Sequence, residues 1–269
     1  MGSVSDGAAT FRAGTDLYHR FVGRYAPSLS AGLIEVAEVE PGLKVLDVGC
    51  GPGGLAGALA EVVGAENVAA VDPSEPFVDL CRERLPGADV RVSQAEELPF
   101  PNGTFDDAMA QLVVNFMNDA EQGVAEMKRV VKPGGVVAAC TWDYRDKMTM
   151  LRAYWDAAHE VAPDDAGRFD EGHTMRFATG EELEGLWREV GLESVEIGEL
   201  WAHADYDDFE DLWSPFPSGI GPAGAFCASL EPERREDLRA ACARRLGDPQ
   251  GAFSLQARAW YAVGRVPAG

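Results

Sequence analysis

The chain has 269 residues, 46% of them hydrophobic, and carries a formal net charge of −22 from 45 acidic and 23 basic side chains. A chain of this length buries a sizeable core, and its acidity weighs against a nucleic-acid partner, which needs a Lys/Arg footprint to displace phosphate counterions. No apolar run approaches the roughly 18 residues of a membrane span, the first ten residues lack the basic-then-apolar order of a signal peptide, and the five cysteines never fall in a C-x-x-C pair. A cytoplasmic protein with reduced thiols and no metal site is expected.

Between Thr10 and Ala37, apolar residues recur at helical spacing through Leu17, Phe21, Val22 and Tyr25, then Leu33, Ile34 and Val36 beyond Pro27. Two helices are therefore expected before the first strand, Lys44 to Val48. A glycine cluster follows, then a helix over Leu55 to Val63, a buried strand NVAAVD (67–72) and a helix over Pro76 to Arg84. DVRVSQ (89–94), TFDDAMAQLVV (104–114) and GGVVAACTW (134–142) continue the series. Such alternation predicts a parallel sheet covered on both faces, with right-handed crossovers.

Beyond Trp142 the pattern is interrupted by a loop, a helical LRAYWDAAHEV and the polar PDDAGRFDEG. Thr179 is placed as the N-cap of the next helix and Gly191 as its stop. LESVEIGELWAHADY (192–206) alternates as a strand. DFEDLWSPFPSGIGPAGAF, rich in Pro, Gly and aromatics, is read as irregular, and a helix with Pro232 in its first turn and Gly247 as its stop precedes the last strand.

The stretch KVLDVGCGPGG (44–54) is a strand, a tight turn and a helix start. A phosphate-cradling P-loop needs a lysine after the last glycine, and Leu55 and Ala56 stand there. The dinucleotide fingerprint G-x-G-x-x-G is met by Gly49, Gly51 and Gly54, with Asp72 placed 21 residues after Gly51 as a ribose acid. On these residues alone, any adenosine-bearing cofactor remains open, a nicotinamide included, although no Y-x-x-x-K dyad accompanies it.

VLDVGCGPG also satisfies G-x-G-x-G through Gly49, Gly51 and Gly53, with Asp47 on the strand. It resembles motif I of the class I S-adenosylmethionine-dependent methyltransferases. VDPSEPF, SQAEELPFPNGTFDDAMAQLVVNFMND and EMKRVVKPGGVVAACTW resemble the segments that follow in that family, in its order, and the nearest likeness is to the branch acting on ubiquinone precursors, sterols and small natural products. The resemblance implies an α/β, Rossmann-like seven-stranded sheet, order 3-2-1-4-5-7-6 with strand seven antiparallel, carrying helical cap insertions. It further implies N-terminal cap helices over 1–40, a cofactor-binding core over 41–142, a cap insertion over 143–181, core again over 182–206, a lid over 207–250 and a core strand over 251–269.

For the cofactor, the resemblance points to Asp47, Gly49, Cys50, Gly51 and Gly53 in the turn, and to Asp72, Pro73 and Ser74 after the second strand. Phe77 packs either beside the adenine or in the core. Gln94, Ala95 and Glu96 follow strand three, while Gln111, Leu112 and Phe116 follow strand four. Tyr18 and Arg24 fall where the family closes over the cofactor, Arg24 toward the methionyl carboxylate. Gly49 and Gly51 lack a Cβ and so admit the methionyl part. Asp72 accepts both ribose hydroxyls.

The same likeness implies methyl transfer to a small apolar or aromatic molecule by a monomer or homodimer. Trp142, Tyr144, His173, Trp213 and Phe216 are the candidate acceptor residues. His173 is the one candidate base, and the segment 213–226 is the candidate moving piece. A non-catalytic cofactor-binding protein is the alternative.

Overall fold

Seven strands form one sheet in the order β3-β2-β1-β4-β5-β7-β6. They are β1 (Val45–Val48), β2 (Val68–Asp72), β3 (Asp89–Val92), β4 (Phe105–Gln111), β5 (Val131–Trp142), β6 (Glu193–Tyr206) and β7 (Phe253–Arg265). The structure is a computed structural model that describes residues 20–269. The first four pairings, β1 with β2 and β4, β2 with β3 and β4 with β5, are parallel. Gly135 meets Val266 and Asp143 meets Arg258 along β5 and β7, so β7 runs antiparallel, as expected. Every residue of β1 and β2 is buried. These strands therefore read as continuous apolar runs, the pattern of a sheet covered on both faces. The strand order reverses between β1 and β4, and the carboxyl ends of strands at such a switch are where α/β sheets bind ligands.

The chain divides into two compact units. A sheet unit comprises Ala26–Thr141, Phe177–Leu200 and Ala259–Gly269. It carries helices α1 (Ala26–Val36), α2 (Gly54–Val63), α3 (Glu75–Arg84), α4 (Ala120–Val130) and, later in the chain, α8 (Gly180–Glu189). Thr179 caps α8 by accepting the Glu182 N–H, and Gly191 adopts φ 77° beyond its end, both at their predicted places. Trp187 of α8 is fully buried and donates its indole N–H to Val137 O at 3.1 Å.

A helical unit comprises 20–25, Trp142–Arg176 and Trp201–Arg258. It contains α5 (Thr149–Val161), α6 (Pro163–Phe169), α7 (Glu171–Thr174), α9 (Phe209–Trp213), α10 (Gly221–Ser229) and α11 (Pro232–Arg245), with α5 packed along α11. The unit boundaries differ from the predicted segments: α1 belongs with the sheet unit, and the stretches 201–206 and 251–258 belong with the helical unit.

A polar segment given no element and a segment expected to be irregular are both helical. PDDAGRFDEG forms α6 and α7: Pro163 opens α6 followed by Asp164 and Asp165, and Asp170 caps α7 by accepting the Gly172 N–H. In the presumed lid, Pro222 stands in the first turn of α10, where a missing N–H costs nothing. Proline that looked like an interruption starts the helix instead.

Candidate functional site

The turn after β1 is shaped by three glycines with positive φ, each for a different reason. A Cβ on Gly49 (φ 75°) would lie 2.5 Å from Val113 Cγ2, so the close approach of this side chain requires glycine there. A Cβ on Gly53 (φ 90°) would lie 2.9 Å from Cys81 Sγ. Gly51 (φ 52°) is different, since no atom of the described residues lies within 4 Å of where its Cβ would be. The open side of the turn is therefore at Gly51. The Gly49 and Cys50 N–H groups both donate to Val71 O, at 2.8 and 2.9 Å, which ties the turn to β2.

Two buried carboxylates flank it. Asp72 accepts the Gly51 N–H on Oδ2 at 2.9 Å and the Ser74 N–H on Oδ1 at 2.8 Å. Burial pushes its carboxyl up, and those two N–H groups pull the other way. Asp47 is 1% exposed, and burial, with Cys81 and Asp72 nearby, pushes its carboxyl well above the usual range despite a hydrogen bond from the Ala56 N–H. Its Oδ2 has no hydrogen-bond partner among the described residues. A buried carboxylate oxygen without a partner costs free energy unless a donor, best a cation, completes it.

The other predicted cofactor residues lie at the carboxyl ends of neighbouring strands. Pro73 and Ser74 follow β2, with Phe77 partly buried in α3. Gln94 is exposed, Ala95 is buried, and Glu96 accepts the Asp119 N–H at 3.1 Å. Gln111 ends β4, and its Oε1 accepts the hydroxyl of Ser30, a buried residue of α1, at 2.9 Å. Leu112 follows with φ 62°. A branched residue held there is strained, and such strain gathers at binding sites. Phe116 ends the short helical turn Val114–Phe116. Ser30 was not foreseen, and its only signal is a hydroxyl among the apolar residues of a buried helix face.

In the helical unit, Arg24 forms a two-point ion pair with Asp211, at 3.0 and 3.2 Å, donates to Asp205 O at 2.6 Å and lies over the Tyr206 ring. Its guanidinium is thus committed within its own unit. Tyr18 lies outside the described residues. Trp142 packs edge-on against Tyr25, and Tyr144 is buried. Trp213 and Phe216 are buried, with Phe216 stacked on Tyr154 at 4.4 Å. These two rings therefore fill the interior of their unit, against the expectation of a mobile lid. His173 is largely exposed, beside Asp170. His159 approaches the same carboxylate; Asp170 was not foreseen as the histidines' shared partner, because it is eleven residues from one and three from the other.

Residues 46–139 match the family described as Methyltransferase domain. Over 212 residues the chain is 31% identical to the ubiquinone/menaquinone biosynthesis C-methyltransferase of Bordetella parapertussis, covering 70% of this chain and 82% of the relative. It is 34% identical over 124 residues to an uncharacterized 37.1 kDa protein of transposon TN4556 from Streptomyces fradiae, covering 44% of this chain but only 36% of that protein. A phosphoethanolamine N-methyltransferase 2 from Haemonchus contortus, solved with phosphomonomethylethanolamine and S-adenosylhomocysteine, superposes with a TM-score of 0.61 at 16% identity, over 99% of this chain and 61% of that one.

Proposed function

Because the chain belongs to the class I S-adenosylmethionine-dependent methyltransferases, we propose that the turn after β1 holds this cofactor and that its methyl group passes to a small aromatic or apolar acceptor. The observation that carries the reading is the buried Asp47 Oδ2, four residues before Gly51 in the same strand and turn, which has no hydrogen-bond partner among the described residues. An ammonium group arriving there would complete that oxygen and favour the ionised carboxylate that burial alone disfavours. S-adenosylmethionine supplies a methyl group on a positively charged sulfur.

The chain's own groups would bind and align it. Asp72 has used one lone-pair direction on each oxygen for backbone N–H groups, which leaves both oxygens able to accept ribose hydroxyls. Ala95 and Glu96 would meet the adenine amino group. Gln111, with its oxygen fixed by Ser30, keeps its amide N–H donors for a partner at the reacting end. Transfer is an in-line displacement, so alignment and exclusion of water are the main contributions expected of the protein. The acceptor class rests on the quinone-pathway relative, because the large aromatics of the helical unit are consumed in packing one another.

The test is calorimetry with S-adenosylhomocysteine, followed by single-turnover incubation with methyl-labelled S-adenosylmethionine and a panel of hydroquinones and phenols. Saturable binding that weakens in Asp47→Ala, with label appearing on a ring compound, is expected. Binding with no transfer across the panel would favour a non-catalytic role, and absence of binding would overturn the reading.

A further inference from the structure

We propose that the helical unit carries a site for one divalent transition-metal ion, built from His159 Nε2, Asp170 Oδ2 and His173 Nδ1. His159 lies in the last turn of α5, the chain reverses through α6, and Asp170 and His173 lie at the start and within the turn of α7. The reversal brings the three ligand atoms within 4.8 Å of one another. Nitrogen and carboxylate ligands of such ions sit about 2.0–2.2 Å from the metal, which separates neighbouring ligand atoms by roughly 3–3.5 Å. His159 Nε2 and Asp170 Oδ2, at 2.9 Å, are already at about that spacing. His173 Nδ1 is 3.9 Å from the same oxygen, and its side chain, 65% exposed, is free to close the difference by rotation.

The carboxylate is the fixed member of the set. Asp170 is fully buried, and its Oδ1 accepts the Gly172 N–H at 2.8 Å and Arg152 Nη1 at 2.7 Å. Such outer contacts orient a metal-binding carboxylate. Arg152 also reaches Oδ2 at 3.2 Å, a cationic neighbour that lowers affinity; Asp156, paired with it at 2.9 Å, offsets part of that charge. Glu160 adjoins His159 in sequence but pairs with Arg244 and Arg245, which removes it from the ligand set. Two imidazoles and one carboxylate suit zinc, nickel, cobalt or copper, whereas magnesium and calcium prefer oxygen ligands throughout. Positions on the ion not filled by the protein would take water from the exposed side. The ion would tie the end of α5 to α7, bracing the helical unit independently of methyl transfer.

The test uses the full chain without a histidine tag, stripped with a chelator and titrated with zinc chloride in a calorimeter, with magnesium chloride as control. One equivalent of zinc is expected to bind and to raise the melting temperature, and magnesium to do neither. His173→Ala, which alters a mostly exposed side chain and so keeps the fold, should weaken zinc binding by at least about tenfold. His203→Ala, at an exposed position on β6, should bind as the parent does. No saturable one-equivalent binding, or the parent's affinity in a folded His159→Ala/His173→Ala double variant, would overturn the site.

Discussion

Asp47, just before the turn after β1, and the aromatic cluster of the helical unit are both buried, yet their surroundings are finished to different degrees. In the cluster, Tyr154 stacks on Phe216, its hydroxyl donates to Ala223 O at 2.8 Å, and Trp155 donates to Glu171 at 2.9 Å. Elsewhere in the same unit charged groups are paired, Arg152 with Asp170 and Arg258 with Asp143. At the turn, among the described residues, Asp47 of β1 keeps an oxygen without a partner and no atom lies within 4 Å of a Cβ on Gly51. Incomplete polar satisfaction marks a place where a ligand is expected, and aromatic content alone does not. The aromatic residues 213–226 attracted attention in the sequence, and their packing gives them a structural task.

That contrast breaks first at the cluster, where the largest effect is expected. Trp213→Ala or Phe216→Ala should destabilise the protein by about 3–5 kcal/mol, the cost of emptying a filled aromatic site. Urea unfolding measures it. A Trp213→Ala protein of unchanged stability with a raised Michaelis constant for the acceptor would restore the lid.

At the turn, Asp72→Ala should weaken S-adenosylhomocysteine binding by about 1.5–3 kcal/mol, roughly ten- to hundredfold. Because Asp72 also accepts the Gly51 and Ser74 N–H groups, the same change should lower the melting temperature. Calorimetry and melting on the one variant separate these consequences, and unchanged affinity in a folded protein would remove Asp72 from the site.

The sheet and the turn were legible because their signals are local. A run such as VLDV can be buried on both faces only in a covered sheet, and a glycine cluster between such a run and a helix has few conformations. The reason for each glycine was not legible, since Val113 and Cys81 reach the turn from 64 and 28 residues beyond Gly49 and Gly53. Arg24 shows the same limit: its partner Asp211 is 187 residues away, and no spacing rule connects them. The helix within GPAGAFCAS is not legible when Pro and Gly read as breakers, and that of PDDAGRFDEG is hidden by a polar stretch without apolar periodicity, although Pro163 and Pro222 both stand in a first turn.

A smaller effect is expected at Asp107, in β4 of the sheet unit, where a polar group is satisfied but costly. Burial pushes its carboxyl up to about 6, although the Val136 N–H donates to it at 3.0 Å and pulls the other way. A raised carboxyl favours the protonated folded state. Its contribution is full below the ordinary value of 3.8 and is lost as the pH rises through about 6. Asp107→Asn keeps an acceptor for Val136 without the charge, so above pH 6 it should be more stable than the parent by about 1–3 kcal/mol. Denaturant unfolding at pH 4 and pH 7.5 should show the gap only at the higher pH, and an equal gap at both would assign the effect to packing.

The smallest effect is expected at Ser30, and it tests whether the turn's neighbourhood is built for catalysis or only for binding. Ser30 Oγ donates to Gln111 Oε1 at 2.9 Å, and Ser30 is 1% exposed, so this hydroxyl has one evident task, to fix the carboxamide at the end of β4. Ser30→Ala removes a neutral hydrogen bond worth about 0.5–1.5 kcal/mol and leaves the carboxamide free to turn. If Gln111 aligns the reacting end, kcat should fall up to about tenfold while S-adenosylhomocysteine affinity stays within about twofold of the parent. A double-mutant cycle with Gln111→Ala separates this from simple loss of packing. When Ser30 acts only through Gln111, the double variant is no slower than Gln111→Ala alone, whereas additive losses in kcat would mean that Ser30 supports the site by some other route.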